Sequence, residues 1–168
     1  MNYADARATL SSGDIIALSH KEWTSWYDIQ VQAVRFFTQS EYSHVGIVWM
    51  FAGRAFLIES VEPVVRIYPI SNLADKGFYL IPTNVPMSDA ELEFLMAQVG
   101  IGKYSKWEAI LAFFSELDIG NTEFFECAEL AIVARGISNL DLGGKATPSA
   151  VVQHLLETGH SLTFIKKD

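Results

Sequence analysis

Hydrophobic positions in the first half of the chain come in short β-branched or aromatic runs, and in the second half they recur at helical spacing. Residues 14–18 predict a strand, and 44–51, 54–61, 64–68 and 78–81 predict four more, separated by turn residues in the manner of an antiparallel meander. Between the first strand and this group, Ser25 with Asp28 three residues on marks a helix start, and the helix runs to about residue 37.

The second half changes period. Ser88 and Glu91 form a capping box ahead of Leu92, Leu95, Met96 and Val99, a one-faced stripe that Gly100 ends. Ser105 and Glu108 repeat the signal ahead of Ile110, Leu111, Phe114 and Leu117. A further helix spans 125–134 and stops at Gly136, and Thr147-Pro148 opens another that Gly159 closes before a last strand at 161–165. The fold class is α+β, an antiparallel sheet packed against helices.

Composition narrows the function classes. The 168 residues carry a net charge of −8, half are hydrophobic and 19% are charged. No internal repeat or linker interrupts them, so residues 1–168 are read as one domain with enough core to need no staple. The acidic balance and the scarcity of adjacent basic residues, Lys166-Lys167 alone, argue against nucleic acid as a partner. The longest apolar run covers residues 45–53, about half of the roughly 18 residues a membrane helix needs, so no transmembrane segment is expected. Residues 1–13 do not resemble a signal peptide, and the expected location is the cytoplasm or release without a standard signal. Oligomeric state is not legible.

Cys127 is the sole thiol and has no internal disulfide partner. The run Phe124-Phe125-Glu126-Cys127-Ala128-Glu129-Leu130 puts it near a helix start, where free N–H groups and the helix dipole favour a thiolate. Glu126 and Glu129 flank it, but helix geometry turns them roughly 100° and 200° away. In the hairpin 44–61, a two-residue turn at Ala52-Gly53 pairs Phe51 with Arg54 and so Gly46 with Glu59. His44 and Glu59 then share a face as diagonal neighbours, with Cβ atoms roughly 7–8 Å apart. A four-residue turn keeps this register, and a three-residue turn would part the pair. A carboxylate beside an imidazole fixes its tautomer and stabilises its charged form, the setting of a general base for a nucleophile.

The segments Gly13-Asp14-Ile15-Ile16, Ser43-His44-Val45-Gly46-Ile47-Val48, Ile58-Glu59-Ser60 and Glu126-Cys127-Ala128-Glu129-Leu130 resemble the circularly permuted branch of the NlpC-type papain-like superfamily. That branch comprises the YiiX/YebB-like proteins and the lecithin:retinol acyltransferase-like proteins, in which the His precedes the Cys in sequence. The resemblance covers about residues 13–156 and implies a permuted papain-like fold, with Cys127 as nucleophile, His44 as base and Glu59 as orienting group. It also implies that Tyr104, in Gly102-Lys103-Tyr104-Ser105, lines the oxyanion site.

The expected activity is a cysteine hydrolase acting on an amide, a peptide or isopeptide and by resemblance a cell-wall peptide, through a thioester. The expected partner is thus a peptide or acyl substrate, with no cofactor. No metal is expected either, since His20, His44 and Glu59 lack recognised ligand spacing and His154 and His160 are read as structural. The alternatives are a lipid acyltransferase or thioesterase using the same residues, with Phe36, Phe37, Phe113 and Phe114 as an apolar cleft wall, or an inactive binding or assembly module of the same fold.

Overall fold

Ala52 and Gly53 both have left-handed backbone, with φ of 49° and 72°. Two such residues in succession make the tight turn whose twist matches that of the flanking strands. They join β2 (His44–Phe51) to β3 (Arg54–Val61), the centre of the fold. The computed structural model describes residues 1–19, 42–61, 64–100, 127–137 and 147–167. Among these, the remaining elements are α1 (Tyr3–Arg7), β1 (Ile15–Leu18), β4 (Val64–Pro69), β5 (Phe78–Ile81), α2 (Asp89–Gln98), α3 (Cys127–Arg135), α4 (Pro148–Glu157) and β6 (Thr163–Ile165), with a 3-10 turn at Ile70–Asn72. The expected helices at 25–37 and after Ser105 lie outside the described residues, as do Tyr104 and the four Phe residues of the suggested cleft wall.

The six strands form one antiparallel sheet in the order β4-β3-β2-β1-β5-β6. The predicted meander therefore holds for β2, β3 and β4 and fails at β5, which lies beside β1. Two local arrangements account for this. The outer edge of β4 is taken by the chain leaving α2, where Val65 bridges Val99 and the Gly100 N–H donates to the Val65 carbonyl at 2.9 Å. The exit of β5 is tied to the entry of β1, where the Thr83 N–H donates to Asp14 Oδ1 at 3.1 Å and the Thr83 hydroxyl to the Gly13 carbonyl at 3.2 Å. Asp14 itself stands just before β1 instead of starting it as predicted, because its other oxygen caps the Ser11 N–H at 2.9 Å.

Alternation along the strands builds two cores. Ile15, Ala17, Val45, Ile47, Ile58 and Ile81 pack on one side of the sheet with Leu95 of α2, Cys127, Leu130 and Ala131 of α3, and Val151 and Leu155 of α4. Ile16, Val48, Leu57, Phe78 and Leu80 face the other way, against Ala6, Leu10, Ile70 and Ala74. Both faces are covered, which is why the central strands are continuous apolar runs instead of alternating ones.

The capping predictions for α2 and α4 are met. The Ser88 hydroxyl accepts from the Glu91 N–H and the Glu91 carboxylate from the Ser88 N–H, while the Thr147 hydroxyl caps Ala150 N–H ahead of Pro148. α1 was not predicted; the Asn2 side chain caps it by accepting from Ala4 N–H at 2.7 Å. No helix among the described residues is long and apolar enough to cross a membrane.

Candidate functional site

The turn at Ala52-Gly53 fixes the register from Phe51 opposite Arg54 to Ile47 opposite Ile58, and one further step sets Gly46 across from Glu59. His44, the first residue of β2, is then the diagonal neighbour of Glu59, and the two meet with Nε2 to Oε2 at 2.7 Å. Glu59 is only 2% exposed and the His44 side chain 13%. Gly46 leaves room on this face for the Leu57 side chain; a Cβ there would stand 2.8 Å from Leu57 Cδ1 and 3.1 Å from the Ile58 carbonyl oxygen.

The other partner of His44 is Cys127, the first described residue of α3, itself buried and free of any disulfide. Strict alternation turns His44 away from Val45 and Ile47, whose cluster contains Cys127. His44 is the terminal residue of its strand and stands opposite Leu18, the terminal residue of β1, so it sits at the sheet's margin. With Nε2 donating to Glu59, Nδ1 is the ring nitrogen left for the sulfur.

Electrostatics follow from this sandwich. Burial by itself would push the His44 imidazole down, but attraction and hydrogen bonding by Cys127, reinforced by Glu59, outweigh it and push it up to about 10. Burial likewise works to raise Glu59, and His44 and Arg66 together hold its carboxyl below the ordinary range.

Arg66 was not singled out from the sequence. It stands directly across β3–β4 from Glu59 and donates to Oε1 from Nε at 2.8 Å, with Nη2 at 2.7 Å. The signal was present: strands ending at 61 and resuming at 64 leave a two-residue connection, which pairs 59 with 66.

The opposite end of α3 is anchored by Arg135. Its buried guanidinium donates from Nη1 to Glu91 Oε1 at 2.7 Å, and from Nη2 to the Val85 carbonyl at 2.8 Å and the Thr83 hydroxyl at 3.2 Å. This ties α3 to α2 and to the junction of β5 with β1. Gly13, at φ 99°, lies so close that a Cβ there would be 2.9 Å from Arg135 Nη1. The Gly13-Asp14 segment singled out in the sequence thus serves as the floor of this junction.

Tyr104, Glu126 and His20 lie outside the described residues. His160 is a helix-end contact, its Nδ1 3.0 Å from the Leu155 carbonyl oxygen. No group of three or more His, Cys, Asp or Glu side chains among the described residues is arranged to hold a metal ion.

This α+β fold, a six-stranded antiparallel sheet packed with helices, has a counterpart among solved structures. The metalloprotein YiiX (DUF1105) of Escherichia coli O157:H7 matches with a TM-score of 0.53 and 16% sequence identity, covering 94% of this chain and 97% of that one. At this identity the likeness is one of fold. No protein-family model matches the chain, and no curated protein matches it.

Proposed function

We propose that the chain is a cysteine hydrolase of the circularly permuted papain-like, NlpC-type kind, acting on an amide through Cys127, His44 and Glu59. The observation that carries the reading is the single imidazole held between a buried thiol and a buried carboxylate. A His placed so shuttles one proton between nucleophile and leaving group, and the carboxylate favours the charged form that this requires. The His-before-Cys order and the YiiX-like fold support the same assignment.

In the proposed reaction the Cys127 sulfur, as thiolate, attacks the amide carbon while the carbonyl π pair moves to oxygen. The oxyanion collapses, the C–N bond breaks, and protonated His44 gives its proton to the departing nitrogen. His44, now neutral, takes a proton from water as the water oxygen attacks the thioester carbon. The second oxyanion collapses, the C–S bond breaks with its electron pair returning to sulfur, the acid leaves, and thiolate and imidazolium are restored. The backbone N–H of Cys127 and, as the family resemblance implies, the Tyr104 hydroxyl are the oxyanion donors.

YiiX is described as a metalloprotein. The described residues here do not suit a metal: both Glu59 oxygens are engaged, one by His44 and one by Arg66, and no three His, Cys, Asp or Glu side chains among them are gathered to hold an ion.

The test is labelling with a thiol-directed acyl probe and mapping the adduct by mass spectrometry. Adduct on Cys127, lost in Cys127→Ala and strongly reduced in His44→Ala, is the expected result. A peptide-amide probe that is turned over, against an acyl ester that alone is turned over, separates the amidase from the lipid acyltransferase. An active Cys127→Ala protein ends the proposal.

A further inference from the structure

Glu59 has two oxygens and two cationic neighbours. His44 on β2 takes Oε2, and Arg66 on β4 takes Oε1 with two of its nitrogens. Arg66 is itself held: its guanidinium lies 4.6 Å over the ring of Tyr68, two residues along the same strand. Three adjacent strands thus present the series His44, Glu59, Arg66, Tyr68, in which each group fixes the one before it. The Arg66 side chain is 46% exposed and the Glu59 side chain 2%. A surface ion pair between two exposed groups contributes little, but here one partner is a buried carboxylate that a third residue depends on.

We propose that Arg66 is a positioning residue of this site: by occupying one oxygen of Glu59 it fixes the carboxylate plane and presents the other oxygen to His44. The inference rests on the Cys127–His44–Glu59 reading above.

Charge counting shows what its loss would do. In the ion-pair form that the Cys127–His44–Glu59 reading requires, thiolate, imidazolium, carboxylate and guanidinium sum to zero. Without Arg66 the buried group carries a net negative charge and takes up a proton more readily. The charged and titratable groups acting on Glu59 among the described residues are His44 from β2 and Arg66 from β4, with Cys127 from α3 reaching it through His44. Both remaining acceptors of that proton, thiolate and carboxylate, are needed in their charged forms. The acid limb of Cys127 reactivity therefore moves to higher pH when Arg66 is removed.

Iodoacetamide alkylation of Cys127 is followed from pH 3 to 9 in wild type, Arg66→Met, Arg66→Lys, Glu59→Gln and the Glu59→Gln/Arg66→Met double variant, with the Glu59 carboxyl carbon titrated by NMR in parallel. In Arg66→Met the acid limb and the Glu59 titration are both expected to move up. The rate on that limb should fall about fivefold, the scale of a half-exposed ion pair. Lysine restores the charge without the flat two-nitrogen contact or the ring stacking, so Arg66→Lys falls between the two. Because Arg66 acts through Glu59, the double variant is expected to react no more slowly than Glu59→Gln alone. If Arg66→Met keeps both the wild-type limb and the Glu59 titration, or if the two losses add, the proposal is overturned while the Cys127–His44 reading stands. A wild-type protein without reactivity in the acid range overturns both. Should Arg66→Met fail to fold, Arg66→Gln carries the same expectations.

Discussion

Glu59→Gln tests the centre of the site without changing its shape. An amide has one oxygen and one NH2, whereas both Glu59 oxygens receive donors at 2.7–2.8 Å. While His44 is protonated, whichever way the amide turns its NH2 meets either the His44 Nε2–H or the Arg66 guanidinium, and one contact becomes donor against donor. Breaking a buried pair costs about 3–5 kcal/mol. The Arg66 share is smaller, because a guanidinium that is 46% exposed regains water. The expected loss is about 2–4 kcal/mol near neutral pH, which for a chain of this size lowers Tm by about 5–15 °C.

The pH dependence of that loss is the sharper test. Glu59 is held below its ordinary value of 4.5, so its contribution is present above 4.5 and disappears as pH falls through the lower folded value. His44 is raised from 6.5 to about 10, so its contribution is complete below 6.5 and disappears as pH rises through about 10. Cys127 supplies the larger part of the His44 rise and is kept in Glu59→Gln, so the gap between wild type and Glu59→Gln, measured by urea unfolding from pH 3 to 11, is widest above about 4.5 and closes as pH falls below that value and as it rises toward about 10. A gap that is flat with pH, or below about 0.5 kcal/mol at pH 6, would refute the linked-pair reasoning.

His44→Ala removes the cation beside Cys127, so the ratio of iodoacetamide rates at pH 6 and pH 9 should fall about tenfold from wild type, and an unchanged ratio would show that the two side chains are not coupled. Arg135→Met takes the cation from Glu91 and a donor from the Val85 carbonyl at the far end of α3; unfolding should show a loss of about 1–3 kcal/mol, and one below about 0.5 kcal/mol would mean that α3 is held by its apolar face alone. Gly46→Ala forces a Cβ to 2.8 Å from Leu57 Cδ1 and 3.1 Å from a backbone oxygen, with an expected cost of about 1–3 kcal/mol and weaker acyl-probe labelling; a fully stable, fully labelled variant would show that β2 and β3 can part without disturbing His44.

Local chemistry made some features readable from sequence. The capping box at Ser88 and the Thr147-Pro148 start declare their helices because a side chain and its backbone partner are three residues apart. The Ala52-Gly53 turn fixed the β2–β3 register, and with it the His44–Glu59 pair, because two-residue hairpins leave one way to count across the strands. The same arithmetic applied to the next hairpin reaches Arg66.

What lay beyond the sequence depends on contacts between distant segments. The placement of β5 beside β1 is decided by Asp14 and Thr83, which are 69 residues apart. No period or turn announces a pairing across such a span, since it forms only after both segments have collapsed onto the core. The approach of Cys127 to His44 is of the same kind. Alternation along β2 turns the imidazole to the face opposite the Cys127 cluster, and the two meet only at the strand's end, where α3, anchored through Arg135, is laid across the sheet. The residue types and the hairpin were written in the sequence. The meeting of thiol and imidazole is a property of how α3 packs, because packing sums contributions from both cores and from no single segment.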